Sequence, residues 1–242
     1  MTILILSIFN ECPIYNHMKK LQQRYIHSNE LIEYYFVSFK ENIDSDVIID
    51  GDIIYVKGVE NFMNILKKTF VALHYLINVK QKHYEYIVRT NVSTIFNYNV
   101  LLKYLNSIPS TDVYLGNTLR LNWLDEKFGI TNFKTNLYSL RGLMFFRGTC
   151  IIMSSDVVKN ITENMINLKY DIIDDVAIAL YIRTFLPKAY LCSQMHENPR
   201  VIYNTFGEYS VCIRNRVSHE DNNRETEIIN MNRQIGQIYK EC

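Results

Sequence analysis

Four short clusters in this chain combine residue types that could bind an oxygen-rich ligand or move a proton. Arg89-Thr90-Asn91-Val92-Ser93-Thr94 groups a cation, an amide and three hydroxyls. Arg147-Gly148-Thr149 sets a cation beside a residue with no side chain. Asp174-Asp175-Val176 sets two carboxylates side by side, and Arg214-Asn215-Arg216, with Arg224 further on, gathers permanent positive charge. Ionised carboxylates can act as general bases. Guanidinium groups hold phosphates or carboxylates through paired hydrogen bonds. Each cluster also has a plain structural account. Carboxylates suit any helix N-terminus, alternating arginines suit a solvated strand face, and Arg147-Gly148 could be an ordinary bulge. The P-loop, GxSxG and GxGxxG patterns are absent. None of the six histidines stands at ligand spacing with another, so no metal site is expected through histidine.

The elements that must position these residues follow from periodicity. His83–Thr94 alternates Tyr84, Tyr86 and Val88 with Glu85, Ile87 and Arg89, as in a buried strand, and runs directly into the first cluster. Strands that release small polar residues at their carboxyl ends are where open α/β sheets bind ligands. A helix capped by Asn97 or Asn99 follows, with Leu101, Leu102 and Leu105 on one face. Upstream, Thr2–Phe9 reads as a central parallel strand that ends near Ser7, Phe9 and Asn10. Tyr15–Tyr25 reads as a helix, and Glu33–Phe39, Val47–Ile49 and Ile53–Val56 as strands. Val59–Val79 is the clearest helix, with Phe62, Leu66, Phe70, Leu73 and Ile77 along one stripe.

Downstream, Asp112–Leu115 restarts as a strand. Asn117–Arg141, which carries Trp123, reads as a functional loop or lid. Leu143–Ser154 is a strand interrupted by Gly148. Helices follow from Ser154 or Ser155 to about Met165, and from Asp174 to Pro187. Ala189–Gln194, Val201–Phe206 and Tyr209–Arg216 read as strands. Ser218–Arg224 reads as a charged loop. A final amphipathic helix lines up Ile228, Met231, Ile235 and Ile238. The order implies an α/β fold with a mostly parallel central sheet and small antiparallel additions. No repeat or linker divides the chain, so a single domain over 1–242 is expected.

Composition narrows the function classes. A net charge of +1 supplies no field to attract nucleic acid or an anionic membrane. No apolar run reaches membrane-spanning length, and the N-terminus lacks the basic flank of a signal peptide. The cysteines (Cys12, Cys150, Cys192, Cys212 and Cys242) are odd in number and lack CxxC spacing, so they read as reduced thiols in a cytoplasmic protein. Sequons at Asn91 and Asn160 would matter only on a secretory route. Abundant Asn, Ile, Lys and Tyr suggest an AT-rich genome, bacterial or viral, and a viral chain would work in the host cytoplasm. The 18 tyrosines suit a sugar-binding cleft and a core equally.

The order of the clusters resembles the GT-A glycosyltransferases of the β-1,3-galactosyltransferase and Fringe type. That family has a Lys-Thr pair on an amphipathic helix, then a strand ending in Asp-x-Asp. A Tyr-x-Gly strand, a Gly-containing strand closing on serine, and an acidic pair before Val follow. Here these positions read Lys68-Thr69, Asn91-Val92-Ser93, Tyr114-Leu115-Gly116, Arg147-Gly148-Thr149 through Ser154, and Asp174-Asp175-Val176. The resemblance covers about residues 60–180. It implies an inverting hexosyltransferase that joins a nucleoside-diphosphate (UDP) sugar to a glycan or other hydroxyl acceptor. Residues 1–116 would form the nucleotide-sugar half, and residues 117–242 the acceptor and catalytic half.

The resemblance implies donor contacts from Ser7, Phe9, Asn10, Lys68, Arg89, Asn91 and Ser93, and acceptor contacts from Trp123, Arg147 and Gly148. Asp175 would be the base, with Asp174 capping or positioning, and the helix N-terminus should lower the pKa of Asp175. The departure is at Asp-x-Asp. Asn91 and Ser93 offer neutral oxygens, which hold a hard dication poorly. The site therefore either works without a metal cofactor or has lost turnover. Without metal, Arg214 and Arg216 would offset the diphosphate charge. The competing readings are a domain that binds a sugar nucleotide or glycan without turnover, and a nucleotidyltransferase. The latter lacks its glycine-rich loop here, since Asn10-Glu11-Cys12-Pro13 stands in that place.

Overall fold

The computed structural model describes residues 1–131, 134–135, 138–216 and 224–239. The chain runs β1 (Ile3–Ile8), α1 (Pro13–Gln22), β2 (Ile32–Lys40), β3 (Val47–Asp50), β4 (Ile53–Lys57) and α2 (Ile65–His74). It continues through β5 (Tyr86–Asn91), β6 (Thr94–Phe96), α3 (Tyr98–Leu105), β7 (Tyr114–Arg120), β8 (Lys134–Thr135) and β9 (Tyr138–Ser139). Then come β10 (Met144–Ser154), α4 (Ser155–Glu163), α5 (Asp174–Phe185) and α6 (Pro187–Met195). Last are β11 (Val201–Tyr203), β12 (Cys212–Arg214) and α7 (Glu225–Tyr239).

The main sheet has the order β3-β4-β2-β1-β5-β10-β7. The pairings of β4, β2, β1 and β5 are parallel, and β3 and β10 run antiparallel to their neighbours. This is the expected α/β architecture. Every residue of β1 is buried, as its almost unbroken apolar run requires in the middle of a sheet covered on both faces. Alternation then sorts side chains between two cores. Leu4, Leu6 and Ile87 pack with apolar residues of α2, α4 and α5. Ile3, Ile5, Tyr86 and Val88 pack with those of α1, α3 and α7. The same alternation sends Arg89 and Asn91 toward the α5 side. Residue 116, where the two halves are expected to meet, lies within β7.

Three local expectations need correction. Ala189–Gln194 is not a strand but part of α6. Pro187 occupies its first turn, where a fixed φ favours helix entry. Ala189 and Cys192, three apart and buried, show the helical spacing that a short apolar run hid. The Val59–Val79 stripe starts at Leu66, because Phe62 lies in a preceding 3-10 turn and is exposed. Its ring packs instead on Phe128, with centroids 5.6 Å apart. The segment after Asn117 is more ordered than a free loop. β7 extends to Arg120, and Leu121, Ile130 and Leu140 are buried in the core. Gly129 there has φ +71°, and a Cβ would meet the Asp171 carbonyl at 1.9 Å, so the turn excludes other residues.

A second sheet, β11-β12-β6, stands beside the carboxyl end of β5. It is built from the chain immediately after the first polar cluster and from the segment ending in Arg214. This small sheet is what brings the C-terminal arginines back to the strand ends.

Candidate functional site

The carboxylate side is built around Arg89, which is only 2% exposed. Its guanidinium donates to the Gly148 carbonyl at 2.5 Å and forms an ion pair with Asp174. The Gly148 N–H donates to the Asp175 Oδ2 at 2.9 Å. β10 bulges here, its register shifting between Arg147 and Ile151. The glycine is required by close approach: a Cβ at position 148 would lie 1.7 Å from Arg89 Nη1. Thr90 ties the same bulge from the other face, donating to the Thr149 carbonyl at 2.7 Å.

Asp174 and Asp175 open α5 side by side, Asp174 against Arg89 and Asp175 against the Gly148 N–H. Burial, followed by the Asp174 charge, pushes the Asp175 carboxyl up to about 8. This reverses the expectation that the helix N-terminus lowers its pKa. Desolvation and a like charge outweigh the Arg89 cation and the Gly148 N–H, both of which act in the lowering direction. Arg89 pairs with Asp174, and Asp175 keeps its proton to near neutral pH.

The arginine side lies across the carboxyl end of β5. The turn after Asn91 is pinned by buried Gln22 of α1, whose carboxamide donates to the carbonyls of Val92 and Thr94. The Asn215 N–H donates to the Ser93 carbonyl at 2.9 Å, and Arg214 Nη1 donates to Thr94 Oγ1 at 3.5 Å. Burial and the neighbouring Arg216 charge lower the Arg214 pKa to about 10. Among the described residues Arg214 is in no ion pair; Glu227 acts on it electrostatically without forming one. Arg224 packs over the Tyr15 ring at 4.9 Å and hydrogen-bonds its hydroxyl.

The expectation that Arg214 and Arg216 share one strand face needs correction. β12 ends at Arg214, and Arg216 lies beyond it on the surface. The Arg216 main chain exchanges two hydrogen bonds with the Asn204 carboxamide, each of 2.7 Å. The two cations still lie close enough for one to depress the other's pKa.

A pocket of about 270 Å³ opens at the carboxyl ends of β1, β2 and β4, lined by Asn10, Glu11, Ser38, Phe39, Gly58 and Glu60 among others. Lys68 holds the lining residue Glu60 from outside the pocket. The Lys68 ammonium, 1% exposed, donates to the Phe9 carbonyl at 2.8 Å and pairs with Glu60 at 2.5 Å. A larger cleft of about 750 Å³, lined by Thr2, Glu33, Tyr34 and Asp52, lies at the amino ends of the strands, away from all four clusters.

The sequence model of the galactosyltransferase family matches residues 37–186. The chain belongs to the galactosyltransferase family. The protein is thus a glycosyltransferase of the hexosyltransferase type, with a sugar donor and an acceptor as its substrates. No match to a curated protein is found. Among the described residues no helix is long and apolar enough to cross a membrane. The match takes in Lys68, Asn91, Ser93, Gly148, Asp174 and Asp175, and it stops short of Arg214 and Arg216.

For this galactosyltransferase-family member, the structure brings two groups of expected residues together. Arg89, Gly148, Asp174 and Asp175 form one; Ser93 and Arg214 form the other, while Asn91 at the end of β5 is directed to the α5 side. Other expected residues lie behind or beside these. Ser7 is fully buried, Phe9 is 2% exposed and offers its carbonyl to Lys68, and Asn10 lines the smaller pocket. Trp123 is partly buried, with its ring 5.8 Å from that of Phe145. Arg147 is exposed. The divalent metal associated with the family finds a poor donor set here. Ser93 is buried, Asp174 is paired with Arg89 and Asp175 accepts from Gly148. Among the described residues no three His, Cys, Asp or Glu side chains group to hold an ion.

Sequence reading missed Gln22, Glu60, Asn117 and Tyr203. The Tyr203 hydroxyl accepts from Asn117 Nδ2 at 2.6 Å and Arg147 Nη1 at 3.2 Å. No local pattern marks Gln22, Asn117 or Tyr203, since each gains its partner from an element far along the chain, whereas Glu60 meets Lys68 only eight residues on.

Proposed function

We propose that this glycosyltransferase inverts the anomeric centre of a UDP-sugar and transfers the sugar to a hydroxyl acceptor, with arginine in place of a divalent metal. The observation that carries the reading is Arg214. A part-buried guanidinium in no ion pair among the described residues, beside a polar strand-end turn, suits an anionic ligand. The nucleoside would occupy the pocket bounded by Asn10, Phe39 and Glu60. The diphosphate would reach across the Asn91–Ser93 turn to Arg214 and Arg216. Lys68 and Arg89 act from behind, holding the pocket wall and the carboxylate dyad. The acceptor would lie by Arg147, Gly148 and the segment carrying Trp123.

In this mechanism Asp175 takes the proton of the acceptor hydroxyl. The acceptor oxygen bonds to the anomeric carbon as the bond to the diphosphate breaks, and the electron pair of that bond goes to the diphosphate. A base with a raised pKa takes the proton more strongly once it is ionised. Preorganised guanidinium charge stabilises the leaving group.

A thermal-shift and transfer assay tests the reading. UDP should stabilise the fold by about 2.7 kcal/mol at a hundredfold excess over its Kd. Stabilisation and transfer should both persist in excess chelator. UDP binding without transfer or donor hydrolysis would instead favour the non-catalytic reading, which the loss of Asp-x-Asp supports. Activity that vanishes with chelator and returns with manganese would refute the arginine clamp.

A further inference from the structure

We infer that the hydroxyl of Tyr203 donates a hydrogen bond to the departing diphosphate; this rests on the transfer reaction proposed above. The phenol oxygen receives hydrogen bonds from Asn117 and Arg147. Arg147 can only donate. With two donors on its lone pairs, the phenol has one remaining capacity, its own hydrogen, which must point away from both.

Two observations link this phenol to the proposed reacting groups. Tyr203 is the register partner of Arg214 in the parallel pairing of β11 and β12, and it acts electrostatically on that guanidinium. In addition, Arg147 directly precedes Gly148, whose N–H holds the carboxylate of Asp175. The phenol is thus linked to Arg214 through the small sheet and to Asp175 through Arg147 and Gly148. Tyr203 is 37% exposed, so its ring borders open space.

A neutral donor aimed at the place where negative charge develops stabilises the transition state more than the bound donor substrate. As the anomeric carbon–oxygen bond breaks, its electron pair settles on the diphosphate oxygen. The phenol keeps its proton, and its hydrogen bond strengthens.

The competing role is a strut that joins the small sheet to β7 and β10. Tyr203→Phe and Asn117→Ala separate the two. Tyr203→Phe keeps the ring and removes the donor; Asn117→Ala loosens the strut and keeps the donor. With UDP-sugar as substrate, Tyr203→Phe should lower kcat by about a hundredfold, with donor KM within about threefold of wild type. Asn117→Ala should cost less than about tenfold. Equal kcat losses in the two variants, or a Tyr203→Phe change confined to KM, would overturn the assignment and leave the transfer reading intact. A wild-type protein that binds UDP but shows neither transfer nor hydrolysis would overturn both. Should the Phe variant fail to fold, 3-fluorotyrosine at the same position keeps the shape and sharpens the donor. Its kcat should match or exceed wild type, and a marked fall would sink the role.

Discussion

The two sides of the site are built on opposite electrostatic plans. On the carboxylate side the charges are matched internally. Arg89 pairs with Asp174, Gly148 feeds Asp175, and the bulge is shaped to admit the guanidinium. On the arginine side, Arg214 is part-buried with another cation beside it and no ion pair among the described residues. The first region is complete as folded. On the proposed reading, the second takes an anion. A closed network resists change and sets a proton's position, whereas an open one binds.

The comparison can be broken most severely at the base. Asp175→Asn should lower transfer by about 10²–10⁴-fold, the range for a positioned general base, while UDP binding survives. Steady-state kinetics with calorimetry on the same variant checks this, and near-normal turnover would move the role to Asp174. Next in size is the matched pair itself. Arg89→Met leaves Asp174 buried without its cation and should cost about 3–5 kcal/mol in urea unfolding. A loss below 1 kcal/mol would mean that the network is not closed in the way described.

Arg214→Ala should act in the opposite manner. Fold stability without ligand should hold or rise slightly, because an unmatched cation is removed. Turnover should fall by about a hundredfold, and UDP affinity should weaken more than uridine affinity, since only UDP carries the diphosphate. Equal losses for the two ligands would place the anion elsewhere.

The smallest expected effect is the pH response of Asp175. Its folded pKa is raised to about 8, above its unfolded value, so the folded state binds the extra proton. The stability it contributes is present at low pH and is lost as pH rises toward about 8. Transfer needs the ionised form, so kcat should climb about tenfold per pH unit and level off above that value. Asp175→Asn should flatten the stability profile and raise the melting temperature at alkaline pH relative to wild type. A wild-type kcat profile already flat at pH 5 would show the carboxyl to be ionised at lower pH.

Much of the fold was legible in the chain. Thr2–Phe9 predicts β1 because a continuous apolar run can only be a doubly covered strand or a buried helix, and it is too short for the latter. Val59–Val79 and Asp174–Pro187 predict α2 and α5 from periodicity and capping chemistry. Ala189–Gln194 failed because periodicity cannot separate a short apolar helix from a strand.

What the sequence alone determined is the set of elements, their order, and the residue types delivered at the strand ends, since periodicity, caps and turns act over a few residues. Tertiary structure decided the chemistry. Arg89 meets Asp174 across 85 positions and Arg214 meets Thr94 across 120, so neither pairing has a local signal. Gly148 explains itself only once Arg89 stands against it. The proton on Asp175 is the sharpest instance. Read along the chain, a helix N-terminus should strip that proton away. Folded, the carboxyl is desolvated beside a second carboxylate, and both effects are set by neighbours that only the three-dimensional packing supplies.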